Sequence, residues 1–402
     1  MPKASNTPLS CIFALNKPTG QPSMTLLNKL QPLLSSSTLF KDPNAKDQGG
    51  NKKGGRRGKW KENRIKLGQG GTLDPLADGV LVLGTNSATK QLSQFLDCTK
   101  SYRAIALLGC STDSYDSDGK IVRMTGWEGV SKELVEEKLG GFRGEIEQTP
   151  PVYSALKMDG KPLYEYARSN TPLPRPIPSR KVTISEIKLL SFTNGEDRTD
   201  SYEFPKEKLG DEERKEMERL EKMVKEGGTV VPSTEEIVKD ETTESKAKEA
   251  ETVAQGVGSE GKPPIFEISL TVSSGTYIRS VIHDLGIALG SSAHVVKLTR
   301  TRQGQFALDP SSASSSTSTA ALASTETEST TTEEKREEKK EVEKELKGCI
   351  EWTLLEKAIK RQELIKKGSE EAKQEADKER EQDGADGYLE WEREILRLCE
   401  TV

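Results

Sequence analysis

The chain has 402 residues, 32% hydrophobic and 31% charged, a deficit and an excess that sit in polar tracts diluting an otherwise ordinary domain. Its net charge of −5 hides a division: residues 1–194 carry 28 Lys+Arg against 18 Asp+Glu and residues 263–309 carry 4 against 3, while 195–262 carry 12 against 20 and 310–402 carry 16 against 24. The part that can fold is therefore basic and suits a polyanionic partner, two histidines argue against a His-built zinc site, and no apolar run approaches the ~18 residues of a membrane span.

Cys11–Leu15 reads as a strand and Asn16–Gly20 as a turn. Ser23 is placed to cap a helix over Met24–Leu34, which Pro32 is expected to end early. The first ten residues carry no secretory pattern and leave little room for a mitochondrial presequence. Lys41–Lys66 holds ten basic and three acidic residues and reads as a basic surface insertion. Val80–Leu83 is a buried strand, Ala88–Phe95 a short helix, Tyr102–Leu108 a strand, Thr112–Gly119 a polar loop and Lys132–Leu139 a helix. Val182–Leu190 alternates like a strand with one slip, and Ile265–Val272 resumes the strand signal before a helix over Val281–Leu289. The acidic interruption 195–262 has little to bury; Asp211–Lys225 reads as a solvated helix, and residues 200–260 and 312–345 are expected to be exposed and dispensable. Residues 310–347 form a Ser/Thr and Glu/Lys linker, and 348–402 a mainly helical segment packing back on the domain 1–309 through Cys349–Ala358 and Tyr388–Leu398. The cysteines at 11, 98, 110, 349 and 399 make no Cys-x-x-Cys pair and suit a reducing compartment.

Three segments carry chemistry. In Gly68-Gln-Gly-Gly-Thr-Leu-Asp74-Pro-Leu-Ala77 glycines allow close backbone approach, Pro75 holds Asp74 out of the helical region, and the following strand anchors the loop. A carboxylate presented this way suits catalysis, and an ordinary Asp-Pro turn is the alternative. In Ser273-Ser-Gly-Thr-Tyr-Ile-Arg279 a strand ends in small residues and an arginine opens a helix, able to hold Asp74 in a two-pronged pair. A surface Arg–Asp pair is the alternative. In Gln148–Arg168, Lys157, Lys161 and Arg168 alternate with Tyr153, Tyr164 and Tyr166. That pattern fits phosphate contacts beside base-stacking rings, or a hairpin with core tyrosines.

In order and spacing these segments, with Leu15–Gly20, Lys100–Arg103 and Leu298–Phe306, resemble the TruB family of tRNA pseudouridine synthases over roughly residues 11–190 and 263–307. The charged insertions and the lack of a recognisable PUA domain resemble its fungal nuclear–mitochondrial branch, which modifies uridine 55 of tRNA. The resemblance implies an α+β pseudouridine synthase fold, with a central mixed, mainly antiparallel sheet crossed by an active-site cleft and disordered charged insertions. It implies Asp74 as the catalytic aspartate, Arg279 as its paired arginine and Tyr102 as the tyrosine stacking on the target base. Lys17 and Pro18 match the pair packing near the catalytic loop, and Tyr277 and Leu298 match pocket residues. Gln69 stands where the family usually has a histidine near the flipped nucleotide, and Asp78 where a small residue is usual.

The implied reaction breaks N1–C1′, rotates the uracil and rejoins it through C5, with no cofactor and no metal. The implied substrate is the T-arm of tRNA, with mRNA a further class; no guide RNA, membrane contact or self-association is expected, and the nucleus and mitochondrion are the expected locations, the cytoplasm being left open. A non-catalytic tRNA-binding protein and a structural subunit of a guide-RNA complex are the rival readings. Intact Asp74 and Arg279 argue against the first, and the missing PUA domain against the second.

Overall fold

Apolar runs pair into one sheet, and the charged tracts are interposed between its strands in sequence. The computed structural model describes residues 8–41, 65–169, 171, 173–214, 261–311, 346–382 and 386–402. Its strands are β1 (Cys11–Lys17), β2 (Leu67–Gln69), β3 (Asp78–Thr85), β4 (Lys100–Leu108), β5 (Cys110–Thr112), β6 (Ile121–Met124), β7 (Gly144–Gln148), β8 (Lys157–Met158), β9 (Lys161–Pro162), β10 (Arg180–Thr193), β11 (Ile265–Val272), β12 (Ala293–Gln303), β13 (Phe306–Ala307), β14 (Ile350–Glu351) and β15 (Glu400–Thr401). The main sheet runs β14-β1-β3-β12-β4-β11-β10-β7, with β2 on β3, β13 on β12 and β15 on β1. It is antiparallel except at β1–β14 and β3–β12, and helices complete an α+β architecture.

Both sheet faces are covered near β1, and strand alternation divides its residues between them. Phe13 and Leu15 enter a core shared with Leu26 and Leu30 of helix Ser23–Leu34, Ile282 and Leu285 of helix Ile278–Ala288, and Trp391 and Ile395 of helix Glu390–Leu398. Ile12 and Ala14 enter a second cluster with Val80, Val82, Phe95 and Phe306. The slip in the alternation of 182–190 is a register shift between Ile184 and Glu186, with another between Leu189 and Ser191, where an extra residue re-aims the strand.

Several elements differ from the sequence reading. Ser23 lies inside its helix rather than capping it, and Pro32 is accommodated because Leu33 and Leu34 are buried beyond it. The helix expected over Ala88–Phe95 is a 3-10 turn Asn86–Gln91 followed by helix Ser93–Asp97. Helix Glu370–Gln382 was not legible, since only Ala372 and Ala376 of its residues are buried and small side chains give little periodic signal. The stretch expected to have little to bury begins with an ordered portion, 195–214. Its Arg198 is buried against Asp200 and the Pro263 carbonyl, and Phe204 reaches the Trp127 and His294 rings. Residues 42–64, 215–260 and 312–345, and the expectations on them, lie outside the described residues.

The C-terminal residues join the same sheet. Ile350 and Glu351 pair with Leu15 and Asn16, and helix Trp352–Lys366 places Leu355 in the core beside helix Ser23–Leu34. No helix among the described residues is long and apolar enough to cross a membrane.

Candidate active site

Asp74 sits on a loop held from two sides. From below, β1 ends at Lys17, which is fully buried and donates from Nζ to the carbonyls of Pro18, Pro75 and Ala77 at 2.9, 3.2 and 2.5 Å. The next turn adds a donation from Gly20 N to Pro75 O (2.8 Å) and from Thr19 Oγ1 to Leu76 O (2.6 Å). Ser23 Oγ donates to Leu73 O and accepts from Leu73 N, at 3.0 and 3.1 Å. Burial lowers the Lys17 ammonium to about 8, and the charges of Asp78 and Asp74 work the other way. At neutral pH a cation is thus tied to the carbonyls on the far side of the Asp74 loop.

From the opposite side, β12 supplies two long side chains. Arg300, 2% exposed, donates from Nε to Val80 O at 2.7 Å, and Gln303 Nε2 donates to the carbonyls of Gly70 and Phe95. Gly79 is required here. Its φ is +98°, and a Cβ would lie 2.3 Å from the Arg300 carbonyl oxygen, where β3 and β12 run side by side. The loop is therefore a braced shelf, and the Asp74 side chain is 37% exposed on it.

Arg279 approaches Asp74 from the first turn of helix Ile278–Ala288. Its Nε lies 2.9 Å from Asp74 Oδ2 and its side chain is only 4% exposed. The sequence reading expected a two-pronged pair with Asp74, and the structure corrects this. The Nε contact is an ion pair without aligned hydrogen-bond geometry, and the two terminal nitrogens turn elsewhere. Nη1 donates to Ser114 O at 2.7 Å and lies 3.3 Å from Asp116 Oδ2, while Nη2 donates to Tyr153 O at 2.9 Å. The guanidinium thus bridges two carboxylates and is fixed by two main-chain carbonyls.

Asp116 is the site residue that sequence reasoning missed, having been assigned to a polar loop. That loop is buried by contacts with β12: Val295 N donates to Tyr115 O at 3.0 Å and Ser117 N to Val295 O at 2.9 Å. Ser114 Oγ donates to Asp116 Oδ1 at 2.6 Å, and Asp118 N to the same oxygen at 3.1 Å. Burial raises the Asp116 carboxyl to about 6, against the pull of Arg279 and Ser114. Three aspartates at 113, 116 and 118 directly after an apolar strand were the available signal.

The sequence profile described as TruB family pseudouridylate synthase (N terminal domain) matches residues 58–203. tRNA pseudouridine synthase 4 of Schizosaccharomyces pombe is 42% identical over 333 residues, spanning 74% of this chain and 79% of that one. Its Saccharomyces cerevisiae namesake is 36% identical over 325 residues, 75% of this chain and 78% of that one.

The chain belongs to the TruB family.

Human pseudouridylate synthase TRUB1 is 30% identical over 301 residues, 75% of this chain and 63% of that one.

Of the residues that the TruB resemblance implies, Asp74 and Arg279 meet directly, and Lys17 meets the Asp74 loop through the carbonyls of Pro75 and Ala77 and its neighbour Pro18 through that residue's carbonyl. Tyr102 and Leu298 share one core with Leu73 and Ala77, which lie on either side of Asp74 in its loop, and both are nearly buried at 8% and 4%. Tyr277 precedes the Arg279 helix, its N–H donating to Gln148 Oε1 (2.8 Å) and its carbonyl accepting from Gln148 Nε2 (3.0 Å). Its ring lies 4.9 Å from the Arg180 guanidinium. Gln69 donates to Thr72 Oγ1 at 3.0 Å, a contact within the loop. The 148–168 segment forms the hairpin β8–β9 and a short helix around Met158, Leu163 and Ile177. There Lys161 covers Tyr166 and Arg168 covers Tyr164 at 4.4 and 5.2 Å, so these rings already have partners. Among the described residues no His/Cys/Asp/Glu group could hold a metal ion.

Proposed function

We propose that this chain isomerises uridine to pseudouridine at position 55 in the T-loop of tRNA, with Asp74 acting at the ribose of a flipped-out nucleotide. The observation that carries the reading is the Asp74 carboxylate, accessible on a shelf braced by Lys17 and Arg300 and held at one oxygen by the immobilised Arg279. Pre-positioning of this kind removes reorganisation from the reacting geometry.

The isomerisation conserves every atom. The N1–C1′ bond breaks, the uracil turns, C5 bonds to C1′, and the C5 proton is exchanged for one on N1. Asp74 assists at C1′ or C2′, and Arg279 holds its carboxylate toward the opening. Tyr102 and Leu298 provide the apolar wall for the base, with Tyr277 beside it. Extruding a stacked base costs roughly a few kcal/mol, offset by contacts to the flipped nucleotide. The chemistry draws on no cofactor. The proposal extends to action as a monomer without guide RNA, to mRNA as a secondary substrate, and to location in the nucleus and mitochondrion, on the fungal likeness and the Lys/Arg cluster in 52–66.

The test is single-turnover conversion of an unmodified tRNA transcript, with the product mapped by mass. Wild type should convert U55, whereas Asp74→Asn should convert none while binding the transcript within about tenfold of wild type, roughly 1.4 kcal/mol. Turnover by the Asn variant, or a product elsewhere than U55, would overturn the assignment.

A further inference from the structure

The ordered start of the acidic interruption lies against the loop that carries Asp116. Residues 195–214 leave β10 at its end, and Arg198, held within the segment by Asp200, fastens them to the Pro263 carbonyl, which precedes β11. The chain then crosses the end of the β5–β6 hairpin. Phe204 packs there, its ring centroid 6.3 Å from those of Trp127 and the fully buried His294. Gly109, just before β5, leaves room for this cluster, since a Cβ on it would lie 2.4 Å from Trp127 and 3.3 Å from Phe204.

Beyond Phe204 the chain runs beside the hairpin and joins it through a single β-bridge. Lys208 lies in parallel register with Ile121; Ile121 N donates to Glu207 O at 2.8 Å, and Leu209 N to Ile121 O at 3.0 Å. On its other side Ile121 pairs with Thr112, which closes the base of the 113–120 loop. Thr112 Oγ1 donates to Asp116 O at 2.7 Å, and Asp116 lies 3.3 Å from Arg279. A continuous set of contacts therefore runs from residues 204–209 through Ile121, Thr112, Asp116 and Arg279 to Asp74.

We propose that residues 198–209 form a strap that positions Asp116, and through it Arg279, for the reaction at Asp74, with Phe204 and Leu209 as its positioning residues. The inference rests on the isomerase reading above. Without the strap, Ile121 would lose the bridge on one of its two sides and the Trp127–His294 cluster one ring. The Asp116 loop would keep its contacts with Val295, His283 and Arg279 but lose the brace at its base. A misplacement of about 1 Å at a guanidinium gripping two carboxylates can slow turnover about a hundredfold.

The test uses the full chain with Phe204→Ala, Phe204→Leu and Leu209→Pro, the last removing the N–H that donates to Ile121 O. Single-turnover rates at saturating enzyme should fall about tenfold or more for Phe204→Ala and Leu209→Pro. tRNA affinity should stay within about twofold, and Phe204→Leu, which keeps the apolar volume, should recover most of the rate. In an Asp116→Asn background, followed over long time courses, Phe204→Ala should have almost no further effect, because both changes act on the same link. Rates within twofold of wild type, or losses that simply multiply with those of Asp116→Asn, would overturn the strap. Should Phe204→Ala not fold, Phe204→Leu and Leu209→Pro carry the same comparison. Inactive wild-type enzyme in the same assay would instead sink the isomerase reading.

Discussion

Replacing Asp116 by asparagine keeps the shape of the buried side chain and removes its charge. Burial, aided by Asp74 and Asp118 and opposed by Arg279 and Ser114, raises this carboxyl from an ordinary 3.8 to about 6. The folded pKa lies above the unfolded one, so the folded state binds more protons between them. The contribution of Asp116 to stability is therefore full below about pH 4 and is lost as pH rises through about 6. Two pH units at 1.36 kcal/mol each amount to about 3 kcal/mol. Asparagine does not titrate, so the stability of Asp116→Asn relative to wild type should improve by about that amount between pH 4 and pH 7. Urea unfolding of both proteins at the two pH values measures it. Activity should move the other way. Arg279 retains Asp74 but loses its second carboxylate, and the single-turnover rate at pH 7 should fall by about tenfold or more. Stability–pH curves for the two proteins that stay parallel would show that Asp116 carries no buried titrating charge. An unchanged rate would show that Arg279 does not depend on it.

Arg279→Lys keeps one charge but cannot span Asp74, Asp116, Ser114 O and Tyr153 O together; turnover should drop about a hundredfold with tRNA affinity little changed, and equal rates would dismiss the bridging role. Gly79→Ala places a methyl 2.3 Å from the Arg300 carbonyl at a φ of +98°. It should cost about 3 kcal/mol or more in urea unfolding, and a loss below about 1 kcal/mol would contradict the close approach. Converting Lys52, Lys53, Arg56, Arg57, Lys59 and Lys61 to Ser should weaken tRNA binding and flatten the slope of log affinity against log salt by roughly 0.7–0.9 for each phosphate no longer neutralised, with the modified position unchanged; an unaltered salt slope would leave nuclear import as the role of that cluster.

The sequence by itself marked the strands that became β1, β3, β4, β10 and β11, several helices and the Asp74 loop, because these depend on residues adjacent in the chain; it did not mark β12 or the short strands, which take their form from pairing across the sheet. Alternation marked Ile265–Val272 to the residue, a slip in it marked the bulge near Ser185, and the Gly-rich approach to Asp74-Pro75 marked a loop of restricted geometry. Sequence, through the small-residue turn before Arg279 and through family resemblance, offered that residue as the partner of Asp74. What it could not supply was the direction in which a polar side chain turns. Whether the aspartates of 113–118 face water or a guanidinium depends on β12 passing beside them, some 180 residues away in the chain. The two-pronged pair expected from the chemistry of Arg279 gave way to a bridge because Ser114 and Tyr153 present their carbonyls to the same side chain. Likewise the acidic composition of 195–262 concealed the packing of Arg198 and Phe204, since composition averages over a segment while burial is decided one side chain at a time. Local periodicity reports which face of an element is apolar; only the assembled sheet decides what meets that face, and the link from residues 204–209 to Asp74 exists only there.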